Sequence, residues 1–233
     1  MIGTVFRSED VPAADRFDHW RELIGKTRAN DFISSHSANF RGELTLLQLG
    51  PATVMQTSFL PTRFLRSPRM VHSGDRELYH LTLMRDAGMV LDHAGRSTAF
   101  GPLDLHLADS SRPYDFRPLD DRERRVVRGL GVDIPKAMLP LPPQRVGELL
   151  NRRMPGHEGV GALLTDFLVG LNRQTENLQP SDAPGWAGLW STWWQRGSAS
   201  SSTRRPSSPL KRVDRRSPSK SGCSSGRTFT TLN

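Results

Sequence analysis

Apolar positions along this 233-residue chain change their period twice. Ala13, Phe17, Trp20 and Ile24 recur at helical spacing behind Pro12, which suits a first helical turn, and predict an amphipathic helix over about 12–26. Short runs bounded by Gly, Pro, Ser or Asp then predict strands at 43–49, 53–59, 78–84, 89–92, 97–100, 103–107, 114–117 and 126–133. A rhythm of roughly 8–12 residues per strand fits an antiparallel barrel or sandwich and not βαβ units. Asp86-Ala87-Gly88 and Ala94-Gly95-Arg96 predict tight hairpin turns. Past Pro135 the helical period returns. Val146, Leu149 and Leu150 share a face behind Pro142 and Pro143, and Val160, Leu163, Leu164, Phe167, Leu168 and Leu171 form one stripe over 157–172. The expected class is α+β: an N-terminal helix, an antiparallel barrel near 40–135, and a helical hairpin behind it.

That pattern stops after Trp194, and composition explains why. Residues 185–233 hold nine basic residues and one acid, which is the whole net charge of +8, while residues 1–184 carry 23 of each sign. The same stretch has 12 of 23 serines, four of five tryptophans and the single cysteine, Cys223. Serine-rich runs such as 198–208 bury too little apolar area to offset chain entropy, so 196–233 is expected to be disordered. A pI near 10.6 directs attention to nucleic acid. Located in this tail, the charge says nothing about the neutral body.

No run of about 18 apolar residues is present to span a bilayer, and Met1 to Trp20 lacks the basic-then-apolar order of a secretory leader. With one cysteine there is no disulfide framework and no Cys-rich zinc site. A soluble, cytoplasmic protein is expected.

Chemistry-bearing motifs are few. His80, His93 and His106 are thirteen residues apart, a spacing that could put them on neighbouring strands. A barrel metal site needs two histidines two apart, and no His-x-His pair occurs, so neither a metal nor another cofactor is expected. In Leu78–Leu83, alternation places His80 and Thr82 with Leu78 on one face, which suits either a lumen that binds a small polar ligand or a half-exposed strand. Arg112, in Asp109-Ser110-Ser111-Arg112-Pro113, could grip a carboxylate bidentately. The serines there have no nucleophile-elbow glycines, and no phosphate loop or dinucleotide fingerprint exists. No catalytic residue is assigned and no enzymatic activity is expected.

Several stretches carry a family likeness: Val5-Phe6-Arg7-Ser8-Glu9-Asp10-Val11-Pro12, Arg16-Phe17-Asp18-His19-Trp20-Arg21-Glu22, Glu77-Leu78-Tyr79-His80-Leu81, Gly101-Pro102-Leu103-Asp104-Leu105-His106 and Ile134-Pro135-Lys136-Ala137. Over residues 1–184 the chain resembles the AraC-family transcription regulators that carry an AraC-binding-like sensor domain. The resemblance implies a cupin-like barrel that binds a small-molecule effector, with helices for dimerisation. Effector-pocket candidates are then His80, Thr82, His93, His106 and Arg112, and dimerisation candidates Val160, Leu164, Phe167, Leu168 and Leu171. In that family two helix-turn-helix units follow and bind DNA. The 185–233 stretch does not match them, and a shifted reading frame is expected there. One base out of register, Trp193-Trp194 encodes Val, Trp194-Gln195 Ala and Trp186-Ala187 Gly, which restores apolar helical sequence. The expected function is the sensing and dimerising portion of a regulator, truncated before its DNA-binding units and partnered as a homodimer or a mixed dimer with full-length regulator. Two alternatives stay open: a small cupin-fold enzyme, and a non-specific nucleic-acid binder acting through the basic tail.

Overall fold

The computed structural model describes residues 3–28, 30–72, 77–120, 125–139, 142–150, 152–174 and 177. In chain order its elements are β1 (Gly3–Arg7), α1 (Arg16–Thr27), β2 (Asp31–Ile33), β3 (Gly42–Leu49), β4 (Ala52–Phe59), β5 (Arg63–Arg66), α2 (Pro68–His72) and β6 (Leu78–Met84). They continue with β7 (Met89–His93), β8 (Arg96–Phe100), β9 (Asp104–Asp109), β10 (Tyr114–Pro118), β11 (Val127–Pro135), α3 (Pro143–Leu149), β12 (Met154–Pro155) and α4 (Gly159–Arg173). One sheet has the order β1-β3-β4-β11-β6-β9-β12 and the other β2-β5-β10-β7-β8, and their strand pairs are antiparallel. The expected α+β class with a cupin-like barrel is what the chain forms.

The larger sheet is covered on both sides, which is why its central strands read as near-continuous apolar runs. Its outer face presents Leu47, Val54, Tyr79, Leu81, Leu83, Leu105, Leu107, Val132 and Ile134, and these pack with Val146 and Leu149 of α3 and with Leu168 and Leu171 of α4. Burying side chains of this size contributes roughly 1.5–3 kcal/mol each. Its inner face looks across to the smaller sheet, and ring pairs bridge the gap: Phe59–Phe64 at 5.4 Å and His106–Phe116 at 4.8 Å between centroids. Helix α1 lays Trp20 and Ile24 into the same inner core, with Trp20 against Phe40 and Phe59.

Differences from the sequence expectations have local causes. The first helix begins at Arg16, because Pro12–Asp15 is a turn closed by Asp15 N–H on the Pro12 carbonyl. Ala94 and Gly95 (φ 51° and 76°) make the expected β7–β8 hairpin turn. Asp86–Gly88 is no hairpin: β6 and β7 belong to different sheets, so this segment crosses between them. The expected strand at 103 starts at Asp104, since Leu103 has φ 61°, a left-handed conformation that a strand cannot contain. The C-terminal helices are separated by β12, and α4 then approaches so closely that a β-carbon at Gly161 would lie 2.0 Å from the Pro155 carbonyl oxygen. The tail expected to be disordered and frameshifted, 185–233, lies outside the described residues, as does the end of the 1–184 domain beyond 177.

Candidate functional site

Between the two sheets lies a cavity of about 60 Å³, or about 700 Å³ when its open mouth is counted. Strand register determines its wall. Thr82 stands opposite His106 on β9 and Gly131 on β11, and His80 opposite Ala108 and Asp133. All of these but Asp133 line the cavity: His80, Thr82, His106, Ala108 and Gly131 come from the larger sheet, and Tyr114 and Phe116 face them from β10. Helix α1 closes the wall with Trp20 and Ile24, and the segment after it with Arg28 and Asn30.

A buried ionic cluster stands at the back. Arg28 donates to Asp133 through Nη2 (2.6 Å) and Nε (3.2 Å), and His80 Nδ1 approaches the same carboxylate at 2.7 Å. Burial pushes the Asp133 carboxyl upward, but the Arg28 charge, the His80 ring and their hydrogen bonds outweigh it and hold the group at about 2. An ionised carboxylate only accepts, so His80 carries its proton on Nδ1 and turns a lone pair outward on Nε2. Burial, and next the charge of Arg28, lower the His80 pKa, which keeps the ring neutral. Glycine at 131 makes room, since a β-carbon there would stand 3.2 Å from Arg28 Nη2. Tyr114 Oη donates to Asn30 Oδ1 at 3.0 Å, fixing the loop after α1 to β10.

His106 is strongly perturbed. Its ring lies between Phe100 (4.6 Å) and Phe116 (4.8 Å), and its Nδ1 is buried without a hydrogen-bond partner. Burial, then the charge of Arg28, drive its pKa down to about 3.

Two pocket candidates lie elsewhere. His93 does not line the cavity: Nδ1 donates to the Pro113 carbonyl and Nε2 accepts from Asp109 N–H, each at 3.0 Å, so the ring is a tie between β7 and the β9–β10 turn. Arg112 is on that turn, its side chain 55% exposed and 3.8 Å from Asp109. It points to solvent because Asp109 is already committed to Lys136 Nζ (2.8 Å) and to Ser111 N–H. On α4, Leu168 and Leu171 are buried in the chain's own core, whereas Val160, Leu164 and Phe167 are half-buried and Leu163 is 57% exposed. The sequence reading passed over Trp20, Arg28, Asn30, Tyr114 and Asp133. Asp133 alone left a signal: a carboxylate inside the apolar run Leu130-Gly131-Val132-Asp133-Ile134. Among the described residues no group of three or more His, Cys, Asp or Glu side chains is arranged to hold a metal ion, and no helix is long and apolar enough to cross a membrane.

Residues 20–192 match the family described as the AraC-binding-like domain. Among solved structures the chain is similar to the AraC-like transcriptional activator CuxR, at 21% identity and TM-score 0.70, covering 90% of this chain and 73% of that one. Smaller overlaps are found with the EutQ protein of Clostridium difficile (12% identity, 45% of this chain and 76% of that one, TM-score 0.32) and with the cupin domain of Schizosaccharomyces pombe Cnp3 (3%, 48% and 73%, TM-score 0.33). No curated protein matches the chain by sequence.

Proposed function

Since this chain belongs to the AraC-binding-like domain family, we propose that it is the sensing part of a transcription regulator and that its effector occupies the cavity between the two sheets. The observation that supports this most is the wall itself: mostly apolar, with a few polar groups from α1, β6, β9 and β10, as small-molecule sites are built. His80, Thr82 and His106 are the effector contacts from the larger sheet, joined by Arg28 and Asn30. No catalytic step is assigned. In a thermal-shift screen of small molecules, binders are expected to raise the melting temperature of the native chain and to lose that effect in Ala108→Phe, which fills the cavity. Binders that act equally on both proteins would place the effector site elsewhere.

A second copy of the chain is the proposed partner of α4. Leu163, with the half-buried Val160, Leu164 and Phe167, supplies an apolar patch for an isologous contact. Leu163→Glu is expected to shift the sedimentation coefficient from dimer to monomer without lowering the melting temperature of the monomer. A native chain that sediments as a monomer at tens of micromolar contradicts this.

A further inference from the structure

Three residues of the cavity wall each carry a buried nitrogen that has no hydrogen-bond partner among the described residues: Trp20 Nε1, Asn30 Nδ2 and His106 Nδ1. Each belongs to a residue at least nine-tenths buried. An unmet buried group is destabilising and uncommon in native interiors, so three around one cavity point to a common occupant. Their chemistry restricts its head group. The indole and carboxamide nitrogens only donate, and a neutral imidazole offers one donor and one acceptor. The occupant must therefore accept more than once and is best matched if it also donates.

Charge restricts it further. Arg28 is the cation on the wall, and Asp133 already neutralises it at 2.6 Å. Arg66, the next cation, is off the wall and donates to the Ser110 carbonyl. A carboxylate or ammonium head would surrender its hydration without finding an unpaired counter-charge, a poor exchange in a low-dielectric interior. Size is the third restriction. An inner space of about 60 Å³ suits a compact head group, with the rest of the molecule toward the open side of the cavity.

Resting on the effector reading above, we propose that this cavity takes an uncharged molecule whose amide-like head, a carbonyl beside an N–H, is held by Trp20, Asn30 and His106, with a flat apolar body against Phe64 and Phe116. Calorimetric titration of the full chain with benzamide, benzoate, benzylammonium and toluene tests it. Benzamide is expected to bind at least tenfold more tightly than the other three. Asn30→Ala and the ring-preserving Trp20→Phe are each expected to weaken benzamide about three- to tenfold, as for one lost hydrogen bond, and to leave toluene unchanged. Thermal melts establish that both variants fold. Benzoate or benzylammonium binding as tightly as benzamide overturns the uncharged head and leaves the effector site standing. So does an equal loss for toluene, which would make Asn30 and Trp20 structural. Absence of binding by all four overturns the head assignment, and the Ala108→Phe comparison decides the effector site independently.

Discussion

Asp133→Ala is expected to destabilise the protein by about 3–5 kcal/mol, the largest effect of any single substitution in the cavity wall or behind it. The carboxylate is buried and takes hydrogen bonds from Arg28 and from His80. Removing it strands a guanidinium in a low-dielectric interior and takes the acceptor from a buried imidazole. It also cuts a connection 105 residues long in sequence, between the end of α1 and β11. For a domain of this size the loss corresponds to a fall of roughly 10 °C or more in melting temperature. A double variant separates the two contributions. Arg28→Met with Asp133→Leu removes both charges at once and should recover much of the loss, because well-packed apolar replacements of a buried ion pair are often neutral or better. Urea denaturation of the native chain, the single variant and the double variant reads all three values. A loss under about 1 kcal/mol for Asp133→Ala would mean that the pair is solvated and the cavity floor is wet.

This ion pair also illustrates what the sequence could reveal. Period-two alternation in Leu78–Met84 placed His80 and Thr82 on one face, and both stand on the cavity wall. Local periodicity was sufficient there because β6 is a long, regular strand. Equal spacing misled at the next step. His93 and His106 are each thirteen residues from a neighbour in the same series, yet β7 and β9 belong to different sheets, so one ring is consumed by backbone groups and the other faces the cavity. Spacing along the chain does not say which sheet a strand joins. Nor could Arg28 be found by pattern: at the end of a helix it looks like any solvated cation, and only the pairing of β6 with β11 brings Asp133 beside His80 to receive it. The short strands β2, β5 and β12 have too few residues for a period to emerge. The stripe on α4 was legible as a stripe, but its width hid two uses. Leu168 and Leu171 meet the outer face of the larger sheet with Leu164 and Phe167 packed at the edge of that core, while Leu163 is left exposed. Hydrophobic periodicity reports that a face is buried and is silent about what buries it.

His106→Phe is expected to flatten the acid limb of the stability curve. In the unfolded chain this imidazole takes a proton near its ordinary pKa of 6.5, whereas burial holds it at about 3 in the fold. Between those values the unfolded state binds more protons than the native state, so stability falls as pH falls, by about 1.4 kcal/mol per unit. His106 alone then accounts for a loss of about 3 kcal/mol between pH 6.5 and 4.5. His80 and His93, both shifted down mainly by burial, act in the same direction below 6.5. Asp133 enters only later, in the window from its ordinary 3.8 down to about 2, where its protonation releases Arg28. A third phenylalanine between Phe100 and Phe116 keeps the ring stack, removes the unpartnered nitrogen and removes one titrating group. Urea midpoints from pH 8 to 4.5 should therefore decline less steeply in the variant, with the two curves closest above pH 7 in their pH dependence and diverging steadily below 6.5. Parallel curves for the two proteins would show that His106 titrates normally in the fold, which requires water to reach the ring and is incompatible with a dry inner wall.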